Sequence, residues 1–385
     1  MRIGIDARFW GPEGTGLGTY IRELVTHLEQ IDQQNDYFIF LRRANFSLFK
    51  PTASNFHKVL ADVRWYSLKE QVVMPWIIGR TGVDLMHFGH FNVPIAYMGK
   101  FVVTIHDLIK SEFASQAATT RSPLLYWLKH KGYQLVLSRA VARAARIIVP
   151  SQWVKERLCQ DYHLSPDKII VTYEAPDTTY VHELSEQMTN NVLARYAVQK
   201  GRYLIYVGNI YPHKNITRLL KSMTIITQQA RFTDLKLVIG CARGVFYQRL
   251  QKEADRVGVA DLVVAPGWIP PEDLYVLYHC AGAYVFPSLS EGFGLPGLDA
   301  MQAGLPVIAA KASALPEIYA DAAYYFDPYD TDGIARSIMT VLTDNKLRQA
   351  LITKGLARAK QFSWQKMAQE TLAVYESAAQ SGVSL

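Results

Sequence analysis

The sequence predicts an α/β protein of two domains, each built on a parallel sheet. Short apolar runs alternate with stretches of helical periodicity, which is the pattern of successive βα units. The alternation runs through the chain twice, with a break near Glu174 to Asp177, where EAPDTTY carries little apolar periodicity. At 385 residues, 49% hydrophobic and 19% charged, the chain is long enough to bury two cores.

In the first half, strands are expected at Arg2 to Ile5, Tyr37 to Leu41, Leu85 to Phe88, Val102 to Ile105, Ile147 to Val149 and Ile169 to Val171. In the second half they are expected at Tyr203 to Val207, Lys236 to Ile239, Val263 to Ala265, Ala283 to Phe286, Val307 to Ala309 and Ala323 to Phe326. Helical patterns at Asp344 to Lys360 and Ser363 to Ala379 close the chain. The domains are therefore expected at 1–176 and 177–362, with 363–385 as a terminal helix.

The most informative segment is SEGFGLPGLDAMQAGLPVIAA, Ser290 to Ala310. Pro296 suits a first helical position, Leu298 and Met301 give an apolar face, Gly304 suits a left-handed C-terminal cap, and Pro306 stops the helix. Asp299 is thereby placed in the first turn. The amides of Gly292, Phe293, Gly294 and Leu295 fall at the helix N-terminus, where unpaired donors and the helix dipole favour an anion. With strands on either side, the loop lies at the carboxyl edge of a sheet, where α/β proteins bind ligands. Glu291 and Asp299 flank it; the bland role for such acids is charge compensation of the helix end.

Three other loops have a similar placement. Gly16, Leu17 and Gly18 form a glycine turn between the first strand and a helix with the stripe Tyr20, Ile21, Leu24, Val25 and Leu28, although glycine often serves only to reverse the chain. His106 follows the run FVVTI, where a lone histidine is more often a structural hydrogen-bonder. Lys214 follows YLIYV and the turn GNIYPH, and a lone lysine there is usually a surface charge. Gly267, Trp268 and Ile269 in APGWIPPEDL are candidates for stacking on a base, against the plainer reading of core packing.

No run approaches the roughly 18 apolar residues of a membrane-spanning helix, and MRIGIDARFW reads as a short strand, so a cytoplasmic location is expected. Cys159, Cys241 and Cys280 lack paired metal-ligand spacing and read as small buried hydrophobes. The net charge of +7 is uneven: residues 1–176 hold 21 Lys/Arg and 15 Asp/Glu (+6), leaving 20 and 19 (+1). Within that half, Arg121 to Arg146 mixes Arg121, Lys129, Lys131, Arg139, Arg143 and Arg146 with Leu124, Leu125, Trp127 and Leu128. Basic amphipathic helices of this kind lie on anionic lipid or pack on a sheet with a solvated basic face. Trp65, Tyr66, Met74, Trp76 and Ile77 add to the lipid reading. No nucleic-acid motif accompanies the charge.

The segment from Glu291 to Asp299 resembles the Glu, seven residues, Glu signature of the retaining family-4 glycosyltransferases (glycosyl transferases group 1), with Asp in the second position. TGLGTYIREL, TIHDL at 104–108, VGNIYPHKN at 207–215 and FSW at 362–364 match in order along nearly the whole chain. The resemblance implies the GT-B fold, two Rossmann-like domains facing across a cleft with the last helix crossing back from Trp364 to the first domain. It implies transfer of a hexosyl group from a nucleotide-sugar donor to a glycan or lipid-linked glycan acceptor, with retention and no required metal or other cofactor. The PHKN and EGFGLP segments are similar to those of bacterial mannosyltransferase-like members, which points to GDP-mannose.

Carried over residue by residue, Lys214 neutralises the leaving diphosphate, Glu291 holds sugar hydroxyls with the Gly292 to Gly294 amides, and Asp299 accepts from the ribose. His106 orients the donor, with Asp107 anchoring its loop. Gly16, Leu17 and Gly18 face the diphosphate. The family's arginine is missing both at Asn209 and at His213, which leaves Arg243 as a substitute. An epimerase of the same fold and a non-catalytic nucleotide-sugar-binding protein are the alternatives.

Overall fold

A computed structural model describes residues 1–11, 15–109, 123–177, 184–241 and 245–380. The chain divides into two compact units, Met1–Glu174 with Ser363–Leu385, and Ala175–Phe362.

The first unit carries a seven-stranded sheet: β1 (Arg2–Asp6), β2 (Asp36–Leu41), β3 (Phe56–Leu60), β4 (Leu85–Phe88), β5 (Phe101–Thr104), β6 (Arg146–Val149) and β7 (Ile169–Val171). The order is β3-β2-β1-β4-β5-β6-β7, with every pairing parallel. Helices α1 (Thr15–Ile31), α2 (Leu68–Gly79), α3 (Pro123–Arg143) and α4 (Gln152–Tyr162) connect the strands. Strand β3 is absent from the sequence-based expectation. Its run FHKVL has one buried residue and pairs only with β2, so as an edge strand it lacks a continuous apolar signal.

The second unit has a six-stranded parallel sheet in the order β10-β9-β8-β11-β12-β13. Its strands are β8 (Tyr203–Val207), β9 (Lys236–Gly240), β10 (Val263–Gly267), β11 (Ala283–Phe286), β12 (Val307–Ala310) and β13 (Ala323–Phe326). Between and after them run α5 (Glu186–Arg195), α6 (Ile216–Thr227), α7 (Val245–Val257), α8 (Pro271–Cys280), α9 (Leu295–Gln302), α10 (Leu315–Tyr319), α11 (Thr331–Thr343) and α12 (Asn345–Ala359). Strands β8 and β11 are buried almost throughout, because helices cover both faces.

The last helix, α13 (Trp364–Gln380), belongs to the first unit and packs on α1, β5 and β6. Its buried stripe Trp364, Met367, Thr371, Tyr375 and Ala378 has the 3–4 residue spacing of one helical face. Tyr375 shares a 2.6 Å hydrogen bond with Nδ1 of His87 on β4, and His87 Nε2 meets Thr104 Oγ1 at 2.8 Å. Burial, and then the neighbouring His106, push the His87 pKa to about 3, so this ring is a neutral structural link.

Each sheet has one place where neighbouring strands lead their crossovers in opposite directions: β1/β4 in the first unit and β8/β11 in the second. Parallel sheets leave a crevice at the carboxyl ends of such strands.

Candidate active site

In the second unit, the loop after β8 tightens into a 3-10 turn, Pro212–Lys214, in which the Lys214 N–H donates to Tyr211 O at 2.9 Å. Asn215 ends the turn at φ 60°, and its Nδ2 donates to Pro287 O (3.1 Å) and Pro328 O (2.8 Å). The turn is thereby fastened to the loops after β11 and β13. Across the β8/β11 switch, Lys214 Nζ meets Glu291 Oε1 at 2.6 Å, with side chains 16% and 10% exposed. Glu291 is fixed in turn by its own N–H, which donates to Ser313 Oγ at 2.8 Å. Ser313 sits at φ 51°, a conformation uncommon outside glycine.

His213, beside the lysine, is buried. Desolvation and then the Lys214 charge push its pKa to about 3, so it is neutral and does not replace the absent arginine. Arg243, the suggested substitute, lies outside the described residues.

The glycine loop leads into α9 through Gly294, the N-cap at φ 104°. A Cβ on Gly294 or Gly297 would meet the Tyr319 hydroxyl at 2.5 or 2.2 Å, and that hydroxyl donates to Gly294 O at 2.5 Å. These glycines are thus required by a buried tyrosine as well as by the turn. Phe293 is buried edge-on against Phe362, at 5.6 Å between centroids. Gly292 is buried at the same loop, and Leu295 opens the helix.

Asp299 corrects an expectation: with α9 beginning at Leu295, it occupies the second turn, and the first turn holds no acid. The sequence places the helix start one residue late, at Pro296, because proline dominates the signal at N1. Asp299 Oδ1 accepts the Asp177 N–H at 2.9 Å, and desolvation pushes its pKa to about 7. Trp268 is 68% exposed at the end of β10, not core, whereas Ile269 is buried against Gly240. Asn209 is exposed, and its carbonyl accepts from Tyr206 Oη at 2.7 Å.

In the first unit, His106 stands two residues beyond β5, with Nδ1 2.8 Å from Glu174 Oε1 and Nε2 3.1 Å from Gly89 O. Both partners are acceptors, so both ring nitrogens donate and the ring is an imidazolium. Burial lowers its pKa, but Glu174 and the Gly89 carbonyl outweigh that and hold it above the ordinary value. Gly16, Leu17 and Gly18 supply a second correction: α1 begins at Thr15, so they form its first turn and do not precede it. Gly18 is needed for packing, since a Cβ there would lie 2.5 Å from Gly11 O and 2.8 Å from Phe9 O. A helix whose opening turn is glycine-rich reads as a turn by composition alone.

The sequence reading misses Glu174, Ser313 and Tyr319. Glu174 carries a signal, an acid three residues past a strand end, but one that fits a domain join equally well. Ser313 and Tyr319 carry none.

Residues 14–180 match the family described as Glycosyltransferase Family 4, and residues 194–358 match Glycosyl transferases group 1. The chain belongs to the family 4, group 1 glycosyltransferases. It is 28% identical to the O-antigen chain mannosyltransferase B of Escherichia coli over 381 residues, 94% of this chain and 96% of the relative. It is 24% identical to the O-antigen chain mannosyltransferase RfbU of Salmonella typhimurium over 334 residues, 83% and 85% of the two chains. Among solved structures, Anabaena HepE in complex with UDP and glucose superposes with a TM-score of 0.75 at 16% identity, covering 98% of this chain and 99% of that one. Sucrose-phosphate synthase from Thermosynechococcus elongatus gives 0.74 at 20%, covering 98% of each. Both likenesses establish the GT-B fold for this glycosyltransferase.

Proposed function

We propose that this glycosyltransferase moves a mannosyl group from GDP-mannose to a saccharide or lipid-linked saccharide, with retention and without a required metal ion. The observation that carries the reading is the 2.6 Å contact between Lys214 and Glu291 at the β8/β11 switch. The two groups the chemistry needs, a cation for the diphosphate and a carboxylate for sugar hydroxyls, hold each other in place before substrate arrives. On donor binding, Lys214 exchanges the carboxylate for diphosphate oxygens, and Glu291 turns to the sugar. As the anomeric bond breaks, negative charge grows on the phosphate against a cation already positioned, which is where electrostatic stabilisation acts most strongly. The departing phosphate oxygen takes the proton of the attacking hydroxyl on the same face. Asp299 receives the ribose, Trp268 stacks on the base, and the His106 imidazolium orients the donor. The choice of mannose is supported by the mannosyltransferases among the relatives.

Peripheral contact with an anionic membrane is supported by the surface of the first unit. Leu68, Val72 and Trp76 form an exposed stripe on α2, and Trp127 and Leu135 are exposed on α3 among Lys129, Lys131 and Arg139. Both helices hold the same loop: Gln71 Oε1 accepts from Ile95 N–H, and Arg139 Nε donates to Ile95 O.

Titration with GDP-mannose, UDP-glucose and UDP-N-acetylglucosamine tests the donor: GDP-mannose is expected to bind most tightly, and tight binding of a UDP-sugar alone would overturn it. Nucleotide release that rises on adding a glycan acceptor is expected of a transferase. Acceptor-independent release with an altered sugar would indicate an epimerase, and no release a binding protein.

A further inference from the structure

The switch point of the first sheet, β1/β4, gathers side chains that the donor chemistry does not use. Phe9 follows β1, Trp65 and Tyr66 follow β3, and His90 and Phe91 follow β4. Phe9 stacks on Trp65 at 4.4 Å and lies 5.4 Å from His90, while Tyr66 meets His90 edge-on at 5.9 Å. Trp65 is half-buried and packed by Phe9 and by the Arg42 guanidinium, 4.7 Å from its ring centroid. Tyr66 differs, being 51% exposed.

Tyr66 is also strained. It sits at φ 59°, in the left-handed region that a bulky side chain rarely adopts. The conformation is imposed from below: the Tyr66 N–H donates to Glu70 Oε2 at 2.8 Å, and Glu70 is fully buried. Glu70 is gripped by Arg8 Nη2 at 2.6 Å and Asn92 Nδ2 at 2.7 Å, and Arg8 is shared with Asp6 at the end of β1. A buried ionic network therefore holds one half-exposed aromatic ring in an unfavourable backbone state. Such strain persists where the surroundings over-determine it and clusters at binding sites. The Tyr66 hydroxyl lies 3.4 Å from His90 Nε2, whose Nδ1 accepts the Asn92 N–H at 3.4 Å.

We propose that Tyr66 is the platform on which a pyranose ring of the acceptor stacks, with the pair formed by its own hydroxyl and His90 Nε2, 3.4 Å apart, at the polar edge that meets the sugar hydroxyls. The C–H face of a pyranose is apolar and its rim polar, which matches a flat aromatic ring bordered by a hydroxyl and an imidazole. The assignment rests on the reading that the acceptor is a saccharide.

Tyr66→Gly removes the ring and relieves the strain together, while Tyr66→Trp keeps a ring. Binding of the methyl pyranosides of mannose, glucose, galactose and N-acetylglucosamine is read by saturation-transfer NMR on the full chain. Nucleotide release from GDP-mannose without acceptor and the melting temperature are measured alongside. Wild type and Tyr66→Trp are expected to bind at least one pyranoside; Tyr66→Gly should bind it about tenfold more weakly, with unchanged release and an equal or higher melting temperature. The proposal is overturned by undiminished pyranoside binding in Tyr66→Gly, by no binding in wild type, or by a glycine variant that loses stability. If wild type releases no nucleotide even when a glycan acceptor is added, while pyranosides still bind through Tyr66, the transferase reading fails and the saccharide platform stands.

Discussion

His106 and Asp299 show how one chemical type acquires its state from its surroundings. His87 is buried and His106 half-buried near β4 and β5, yet burial pushes the first to a pKa of about 3, while in the second Glu174 outweighs burial and holds the pKa above the ordinary value. Glu174→Gln should therefore drop the His106 pKa below the ordinary imidazole value of about 6.5, as read by NMR titration. A raised histidine stabilises the fold fully below its unfolded pKa and loses that contribution as pH climbs through the folded one, so wild type and Glu174→Gln should converge in stability at high pH. Asp299 runs the other way. With a folded pKa near 7 and an unfolded one near 3.9, the native state keeps a proton that the unfolded chain has lost, and stability falls between about pH 4 and 7. Asp299→Asn should flatten that fall in pH-dependent melts. Because a neutral acid is a poorer acceptor for a ribose diol, donor affinity should rise through pH 7 in wild type and stay level in the variant.

At the scale of elements, the glycines separate into those that serve packing and those that do not. Gly297→Ala puts a Cβ 2.2 Å from a hydroxyl on fully buried Tyr319, which leaves no room to yield. A loss of about 1–3 kcal/mol by urea denaturation is expected. Gly16, by contrast, lies in α1 with nothing among the described residues within 4 Å of where a Cβ would stand, so Gly16→Ala should gain up to about 1 kcal/mol. The carboxyl edges of β8 and β11, and the helix after β11, are legible in the sequence because buried parallel strands are continuous apolar runs bounded by glycine and proline. Strand β3 is not, since an edge strand needs only one apolar face. The Glu174 grip on His106 joins residues 68 apart, a distance that no local pattern encodes.

For the whole molecule, topology does what no motif states. The sequence points to Lys214 and Glu291 separately; the order β8-β11 is what brings residues 77 apart to 2.6 Å. The same rule applied to the first sheet leads to the Tyr66 cluster, which carries no motif. The charge excess in residues 1–176 bears on partners, not on fold. Vesicles containing anionic lipid should co-sediment the protein in low salt and release it as salt rises; indifference to lipid charge would remove the membrane assignment.

The central claim is that Lys214 exchanges Glu291 for the donor diphosphate. Lys214→Ala, assayed for GDP-mannose binding and turnover, should lose at least about a hundredfold in kcat and also some stability, since Glu291 is left without its cation. Adding Glu291→Gln should restore the stability but not the activity. A Lys214→Ala protein that turns over at the wild-type rate would contradict the account.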